Sequence, residues 1–593
     1  MKAAKISTLV ILCGLMCVAS LSAQQPGGPI TTAESGESEQ YHVLSRYQHS
    51  RSAMMRFITS DEGRLFMQLE GHPLAKALQQ EFGDVPPNTR LPRSLRLLLD
   101  EQKLERLQPP TVLATPAGGM PCSQPTGVRF NLEPRSNAIA QNAPNADFIL
   151  SGVSTDDDLV VQVANDTRGI LTSNWDGSAS GYYVHNSNTA DCSVQFEGGL
   201  PSFTFQGDTL FGSGAVVVKA DNTRGVFFAA DDRIGSTTSG IGLFRAAAAD
   251  LLNPSRCPNG THTLAQATSC WMQTPPVFLD QLPSFDEGSF PFLAVDERDT
   301  HAGKGAGDVY VLYDQESNFG LQIVACTNSL NCGPPATVPG NGGGEADIHV
   351  LPNGVITILS GNETGALQFQ TCTPSGAPKP PICSTPTLAV TLSGSGPLEN
   401  LNFPDCCAPS SAVRMGSGNT FTAFIVYTDC RNLFTPPPPP QNQPTVCLAA
   451  DVKLIFSTDS GATWSKPVSV NTKSGHHLLS NVTIDASTGT VSIVYFSTEG
   501  DPNFHEVRVM LNQIAPGSTA LGPEQLITTK LDAADSGPGG NFLSDVQIGA
   551  ISRGTGAAGH SRLYTSFNSS AVNGTYNGKS LPELNNHISL FRF

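Results

Sequence analysis

The sequence predicts an all-β fold, a seven-bladed β-propeller preceded by a small helical N-terminal segment. Three observations lead there. Charge is sparse, at 14% of 593 residues, against about 25% in an ordinary soluble domain. Gly (57) and Pro (44) are abundant enough to supply many turns, while 39% hydrophobic residues can fill a substantial core. Short apolar runs also recur in pairs separated by Gly, Asn or Asp turns, over most of the chain.

Residues 1–23 read as a secretory signal peptide. Lys2 and Lys5 precede an apolar run from Leu9 to Leu21, and Ala23 is a small residue at the cleavage position. No later stretch is long and apolar enough to predict a membrane span once the signal is removed. Residues 24–110 form the helical segment: Leu44, Tyr47, Met54, Met55, Phe57, Leu65, Phe66 and Leu69 mark one set of faces, and Leu95, Leu98, Leu99, Leu104 and Leu107 another. This arm is weakly basic, so it reads either as docked on an acidic body or as a solvated or removable segment. Pro109 and Pro110 open a linker and lead-in over 111–145.

Residues 146–593 carry the repeat. Phe148 leads through Val160 to Ile170, and Ala215–Val218 turns at Asp221-Asn222 into Val226–Phe228. Phe292–Val295 returns as Val309–Tyr313, and Ile348–Val350 turns at Pro352-Asn353-Gly354 into Val355–Ile358. Val413 passes Gly416–Gly418 to Phe424–Tyr427, and Asn481–Asp485 turns at Thr488-Gly489 into Val491–Tyr495. Val546–Ile548 passes a Gly-rich turn to Leu563-Tyr564. Seven copies of this size fit propeller blades, each burying its faces against its neighbours. Six or eight blades, a solenoid and consecutive sandwiches are the rival architectures. Tyr313, Tyr427 and Tyr495 end second strands and read as buried aromatics.

Of 14 cysteines, Cys13 and Cys17 leave with the signal, so 12 remain, an even number that in an exported chain indicates disulfides. Cys257 with Cys270, Cys326 with Cys332, Cys372 with Cys383 and Cys430 with Cys447 read as loop staples. Adjacent Cys406 and Cys407 reach elsewhere, with Cys192 and Cys122 as partners to consider. Zinc is disfavoured: no CxxC pair occurs, and His505-Glu506 is followed by Val509 where a second His would stand.

One motif is sharper than the rest. Ser457-Thr-Asp459-Ser-Gly461-Ala-Thr463-Trp464 follows the apolar run Val452–Phe456. An Asp carboxylate can accept backbone N–H groups in a tight turn, Gly461 permits positive φ, and Trp464 can wedge its ring between sheets. The segment resembles the Asp-box, or BNR repeat, of sialidase-like β-propellers, with weaker copies at Thr327–Pro335 and Gly517–Leu526. The resemblance implies that Ser457, Asp459, Gly461 and Trp464 are structural, in a turn away from the substrate face. Catalytic members of that superfamily also carry an Arg-Ile-Pro segment, three arginines gripping a carboxylate, a Tyr–Glu nucleophilic pair and an Asp acid/base. Here the nearest segment is Asp232-Arg233-Ile234-Gly235, and no arginine triad aligns, so catalytic residues stay unassigned.

In a propeller the start of each innermost strand approaches the central channel. Asp347 with His349, Asp405, Asn481 and Asp545 occupy such positions in successive copies. A ring of carboxylates and amides can hold a cation or hydrogen-bond sugar hydroxyls, or else cap strand ends. His476-His477 reads as a surface pair near that face. No cofactor is expected. Calcium is considered for the acidic loop from Asp296-Glu-Arg-Asp299 to Asp308, but its spacing matches no calcium loop, and it and Asp156–Asp158 read as solvated turns. The net charge of −17 excludes a basic footprint for nucleic acid. The expectation is an extracellular binding or scaffold module for a glycan or protein ligand, of unspecified oligomeric state. The alternative is an exo-α-sialidase-type retaining glycoside hydrolase.

Overall fold

The structure, a computed structural model, describes the strands between Cys122 and Arg592 with many of their turns, and side chains chiefly over 291–527. The predicted signal, the helical segment, Cys192, Cys257, Cys270, Cys406, Cys407 and Asp156–Asp158 lie outside the described residues, or outside those with described side chains. Every element among the described residues is a strand.

The strands assemble into seven antiparallel sheets in chain order. Sheet I runs from Ile149–Ser151 to Val194–Gly199, sheet II from Phe203–Phe205 to Val277–Leu282, and sheet III from Gly288–Val295 to Ala336–Thr337. Sheet IV spans Ala346–Val350 to Thr387–Thr391, sheet V Ser410–Met415 to Val468–Ser469, and sheet VI His477–Ile484 to Asp532–Ala533. Sheet VII joins the C-terminal strands Gly549–Gly554, Ser561–Tyr576 and Lys579–Arg592 to Cys122–Phe130 from the other end of the described chain. That pairing leaves no free seam between the first and last sheets.

Each of the seven copies read in the sequence holds a hairpin, although the last inner strand is Gly549–Gly554 and the expected Val546–Ile548 lies outside the described residues. Leu150 pairs with Val161, Val218 with Phe228, Ala294 with Tyr310, Ile348 with Ile358, Val413 with Ala423, Val482 with Ile493, and Ile551 with Tyr564. The strands Ile149–Ser151, Asp208–Ala220, Gly288–Val295, Ala346–Val350, Ser410–Met415, His477–Ile484 and Gly549–Gly554 touch one another in a closed circuit. Sheets radiating from such a circuit are a β-propeller.

This arrangement explains the apolar runs. An isolated strand with one wet face alternates, but a sheet flanked on both faces buries every position. Val309–Tyr313, Phe424–Tyr427 and Val491–Phe496 are accordingly buried nearly throughout. The core is divided among the sheet interfaces. One cluster packs sheet II on III, another III on IV, a third IV on V and a fourth V on VI. Tyr313, Tyr427 and Tyr495 are fully buried, as expected. Three of the expected staples are formed, Cys326–Cys332, Cys372–Cys383 and Cys430–Cys447.

The turn at Ser457–Trp464 joins the third and fourth strands of sheet V, at the end opposite the starts of the inner strands. The Asp459 carboxylate accepts the Thr463 N–H at 2.9 Å, the Thr463 hydroxyl at 2.5 Å and the Ser457 hydroxyl at 2.7 Å. The Gly461 N–H donates to Ser457 Oγ at 2.8 Å, and Ser460 lies at φ 63°. Trp464 stands edge-on to Phe369 of sheet IV, with centroids 5.3 Å apart. Gly461, at φ 87°, has no room for a side chain, because a Cβ would come within 2.7 Å of the Phe369 ring. The turn therefore clamps sheet V onto sheet IV.

The segment Thr327–Pro335 of sheet III repeats this geometry with different side chains. The Thr327 hydroxyl meets Ser329 at 3.0 Å and accepts the Asn331 N–H at 3.1 Å, while Leu330 lies at φ 61°. The Cys326–Cys332 bond closes the base of this turn. Gly517–Leu526 folds differently: Gly517 takes the positive φ, and the Ser518 N–H closes onto the Ala515 carbonyl at 3.0 Å.

Candidate functional site

The inner strands of sheets IV, V and VI lie side by side. Asp347 pairs with Leu359, Ser410 with Val426 and Asn481 with Val494. Each partner stands one residue before the second-strand position held by Ser360, Tyr427 and Tyr495. Asp347, Ser410 and Asn481 are therefore equivalent positions in three successive sheets. A bulge between Leu478 and Asn481, with Leu479 at φ 52°, keeps Asn481 in this register.

These residues interlock. Asp347 accepts the Ile348 N–H at 2.8 Å on one oxygen. Its other oxygen takes the Ser411 N–H at 2.7 Å, the Ser411 hydroxyl at 3.1 Å and His349 Nε2 at 3.1 Å. Ser410 Oγ donates to Asn481 Oδ1 at 3.3 Å and accepts the Val482 N–H at 3.2 Å. A polar seam thus crosses three sheets near the axis. Asp347 and Asn481 are largely enclosed, whereas the His349 side chain stays 28% exposed and is the accessible member of the seam. Asp405 and Asp545 lie outside the described residues, and Ser410 holds the sheet V register position.

The start of sheet VI holds a second polar cluster, and here the sequence reading is corrected. His476 and His477 are not a surface pair; both are fully buried. His476 Nδ1 accepts the Ala450 N–H at 3.3 Å, and His477 packs edge-on against Tyr495 at 5.9 Å. The Tyr495 hydroxyl donates to Glu524 at 2.6 Å, and the Thr472 hydroxyl donates to the other Glu524 oxygen. Burial, then the Glu524 charge, holds the Tyr495 phenol far above its ordinary titration range. Burial raises Tyr313 and Tyr427 in the same direction.

The opposite end of the inner strands is organised by arginine. The two end carboxylates of the loop from Asp296 to Asp308 are not solvated, since Asp296 is 1% and Asp308 7% exposed, whereas Glu297 and 302–304 are exposed as expected. Arg298 grips both Asp296 oxygens, with contacts at 2.6–3.1 Å, and donates across to the Asn353 carbonyl at 3.2 Å. Gly354 makes this possible, since a side chain there would collide with the guanidinium. Burial pushes Asp308 up, opposed by the Ala377 N–H that it accepts at 2.6 Å. Arg414 donates to the Gly489 carbonyl at 3.3 Å and to the Ser518 carbonyl at 2.9 Å, over the Phe424 ring. Both arginines tie one sheet to the next, and the Arg298 fork is taken by Asp296. Among the described residues, no group of three or more His, Cys, Asp or Glu could hold a metal ion.

Ser410, Ser411, Thr472 and Glu524 were missed in the sequence. Superposing the copies on Tyr427 and Tyr495 would have placed Val413 opposite Asn481, because the two hairpins differ in length; only the strand pairing brings Ser410 to that position. Nothing local marks Glu524, which meets Tyr495 across 29 residues of chain.

No family model and no curated protein matches the chain. Similar solved structures include the BP39L lectin from Burkholderia pseudomallei, 10% identical at a TM-score of 0.41, covering 74% of this chain and 99% of that one. A mutant of Aleuria aurantia lectin in complex with α-methyl-L-fucoside is 10% identical at a TM-score of 0.33, over 66% and 99% of the two chains. Trypanosoma rangeli sialidase is 12% identical at a TM-score of 0.31, over 69% and 57%. Likenesses this distant carry no functional weight; the fold rests on the strand pairing.

Proposed function

We propose that the chain is a secreted, seven-bladed sialidase-like propeller that acts as an extracellular binding module for carbohydrate. The paired turns at Ser457–Trp464 and Thr327–Cys332 support reading both as Asp-boxes, one intact and one degraded. Three disulfides support an oxidising compartment.

The observation that carries the choice of binding over hydrolysis is the use of the charged groups. A retaining glycosidase of the sialidase type needs a reachable tyrosine beside a carboxylate, and cations for the substrate's acid group. Tyr313, Tyr427 and Tyr495 are sealed inside sheet interfaces, Arg298 is gripped by Asp296 and the Asn353 carbonyl, and Arg414 is turned onto the Gly489 and Ser518 carbonyls of the next sheet. The accessible polar group on the inner seam is His349, held by Asp347, a donor and acceptor suited to sugar hydroxyls. The test is to screen the purified chain against fluorogenic sialosides and a glycan array, with and without calcium. Binding without turnover is expected; turnover abolished by neutralising one carboxylate would overturn the reading.

A further inference from the structure

The segment from Thr472 to His476 links the last strand of sheet V to the inner strand of sheet VI. It is clamped by the loop that follows Val491–Ser497. Thr498 N–H donates to the His476 carbonyl at 3.0 Å, and His476 N–H donates to Thr498 Oγ1 at 2.9 Å. Gly475, at φ 141°, brings the link close to the Glu499 backbone, because a Cβ there would lie 3.2 Å from the Glu499 nitrogen.

Glu499, next to this clamp, is 7% exposed, and its Oε2 accepts no hydrogen bond. Its carboxylate neighbour Glu524, also 7% exposed, already receives the Tyr495 and Thr472 hydroxyls. A buried carboxylate with an unmet oxygen beside a second carboxylate is unfavourable, and protonation removes the charge that accounts for most of that cost. We propose that Glu499 is a proton-operated latch: as the neutral acid it seats the loop on the link, and when ionised it loosens the join between sheets V and VI.

The surroundings agree. Among the described residues, Tyr495 from the second strand, His477 from the inner strand, His476 and Lys473 from the link, Arg508 from the third strand and Glu524 beside the fourth are titratable groups on the packed elements. Burial raises the Glu499 carboxyl first and the Glu524 charge raises it next, while Arg508 and Lys473 pull it back without restoring the ordinary value. The sign follows. The folded chain keeps this proton to higher pH than the unfolded chain, so stability is greatest below the ordinary Glu value of about 4.3 and is lost as pH rises through the raised folded value.

The experiment compares thermal unfolding of the chain and of Glu499→Gln from about pH 4.5 to pH 7.5. Amide hydrogen exchange at His476 and Thr498 is followed in the unmodified chain over the same range. The expected result is that Glu499→Gln melts with the parent in acid and above it at neutral pH. Protection of the two amides should fall by up to about tenfold per pH unit after correction for intrinsic exchange. Parallel melting curves, or a variant less stable at neutral pH, would overturn the latch. If Glu499→Gln does not fold, pH-independent protection at His476 and Thr498 overturns it alone.

Discussion

The two ends of the inner strands solve one problem with different chemistry. At the turn end, buried charge is cancelled by opposite charge, as where Arg298 grips Asp296 and reaches into the next sheet. At the start end, carboxylates are held by hydroxyls and amides: Asp347 by Ser411, and Glu524 by Tyr495 and Thr472. The first arrangement joins neighbouring sheets through a charged pair. The second leaves groups such as His349 accessible and Glu499 sensitive to protons. A propeller can thus anchor its sheets at one rim and keep adaptable polar groups at the other.

Substitutions at both ends test this division. The largest effect is expected from Phe369→Ala, which removes the ring that Trp464 and Gly461 pack against and leaves a cavity between sheets IV and V. A loss of about 3–5 kcal/mol in denaturant-derived stability is expected. A loss below about 1 kcal/mol would show that the turn clamp contributes little.

Arg298→Met at the turn end should cost about 3 kcal/mol, because it strands the Asp296 carboxylate, whose side chain is 0% exposed. Ser411→Ala at the start end should cost about 1 kcal/mol, since Asp347 keeps the Ser411 N–H and its other donors. Equal costs in parallel denaturant titrations would erase the distinction between the two ends.

The smallest effect is expected at Asp459, whose carboxyl is pulled down to about 2 by the Thr463 hydroxyl, then by the Thr463 N–H and the Ser457 hydroxyl. Its contribution is complete above the ordinary Asp value of about 3.9 and is lost as pH falls from there through the depressed value. Asp459→Asn should remove that acid limb from a titration followed by Trp464 fluorescence, by lowering stability slightly at neutral pH to the level that the parent reaches in acid. An unaltered acid limb would show that the carboxylate does not hold the turn.

Much of the fold was legible because local pattern and long-range packing agree. Val491–Tyr495 and Phe424–Tyr427 are uniformly apolar because both faces of their sheets are covered, and Gly489 and Gly416–Gly418 mark where the chain turns back. Cys326 and Cys332 are close in sequence because they staple one turn. The site was less legible because its polar residues are defined by neighbours in other sheets. Asp296 reads as a solvated acid until Arg298 folds back over it, and His476-His477 reads as surface until the Thr498 loop covers it. Register was hidden as well: the bulge at Leu479 and the link before Ser410 shift the start of each strand, so counting from strand starts did not find Ser410.

The most direct test of the binding assignment is glycan-array binding of the purified chain beside His349→Ala, with both proteins first shown to have the same melting temperature. Calcium-independent binding to a defined set of glycans is expected, reduced at least tenfold in the variant. Equal binding by both proteins, or no glycan bound by either, would contradict it.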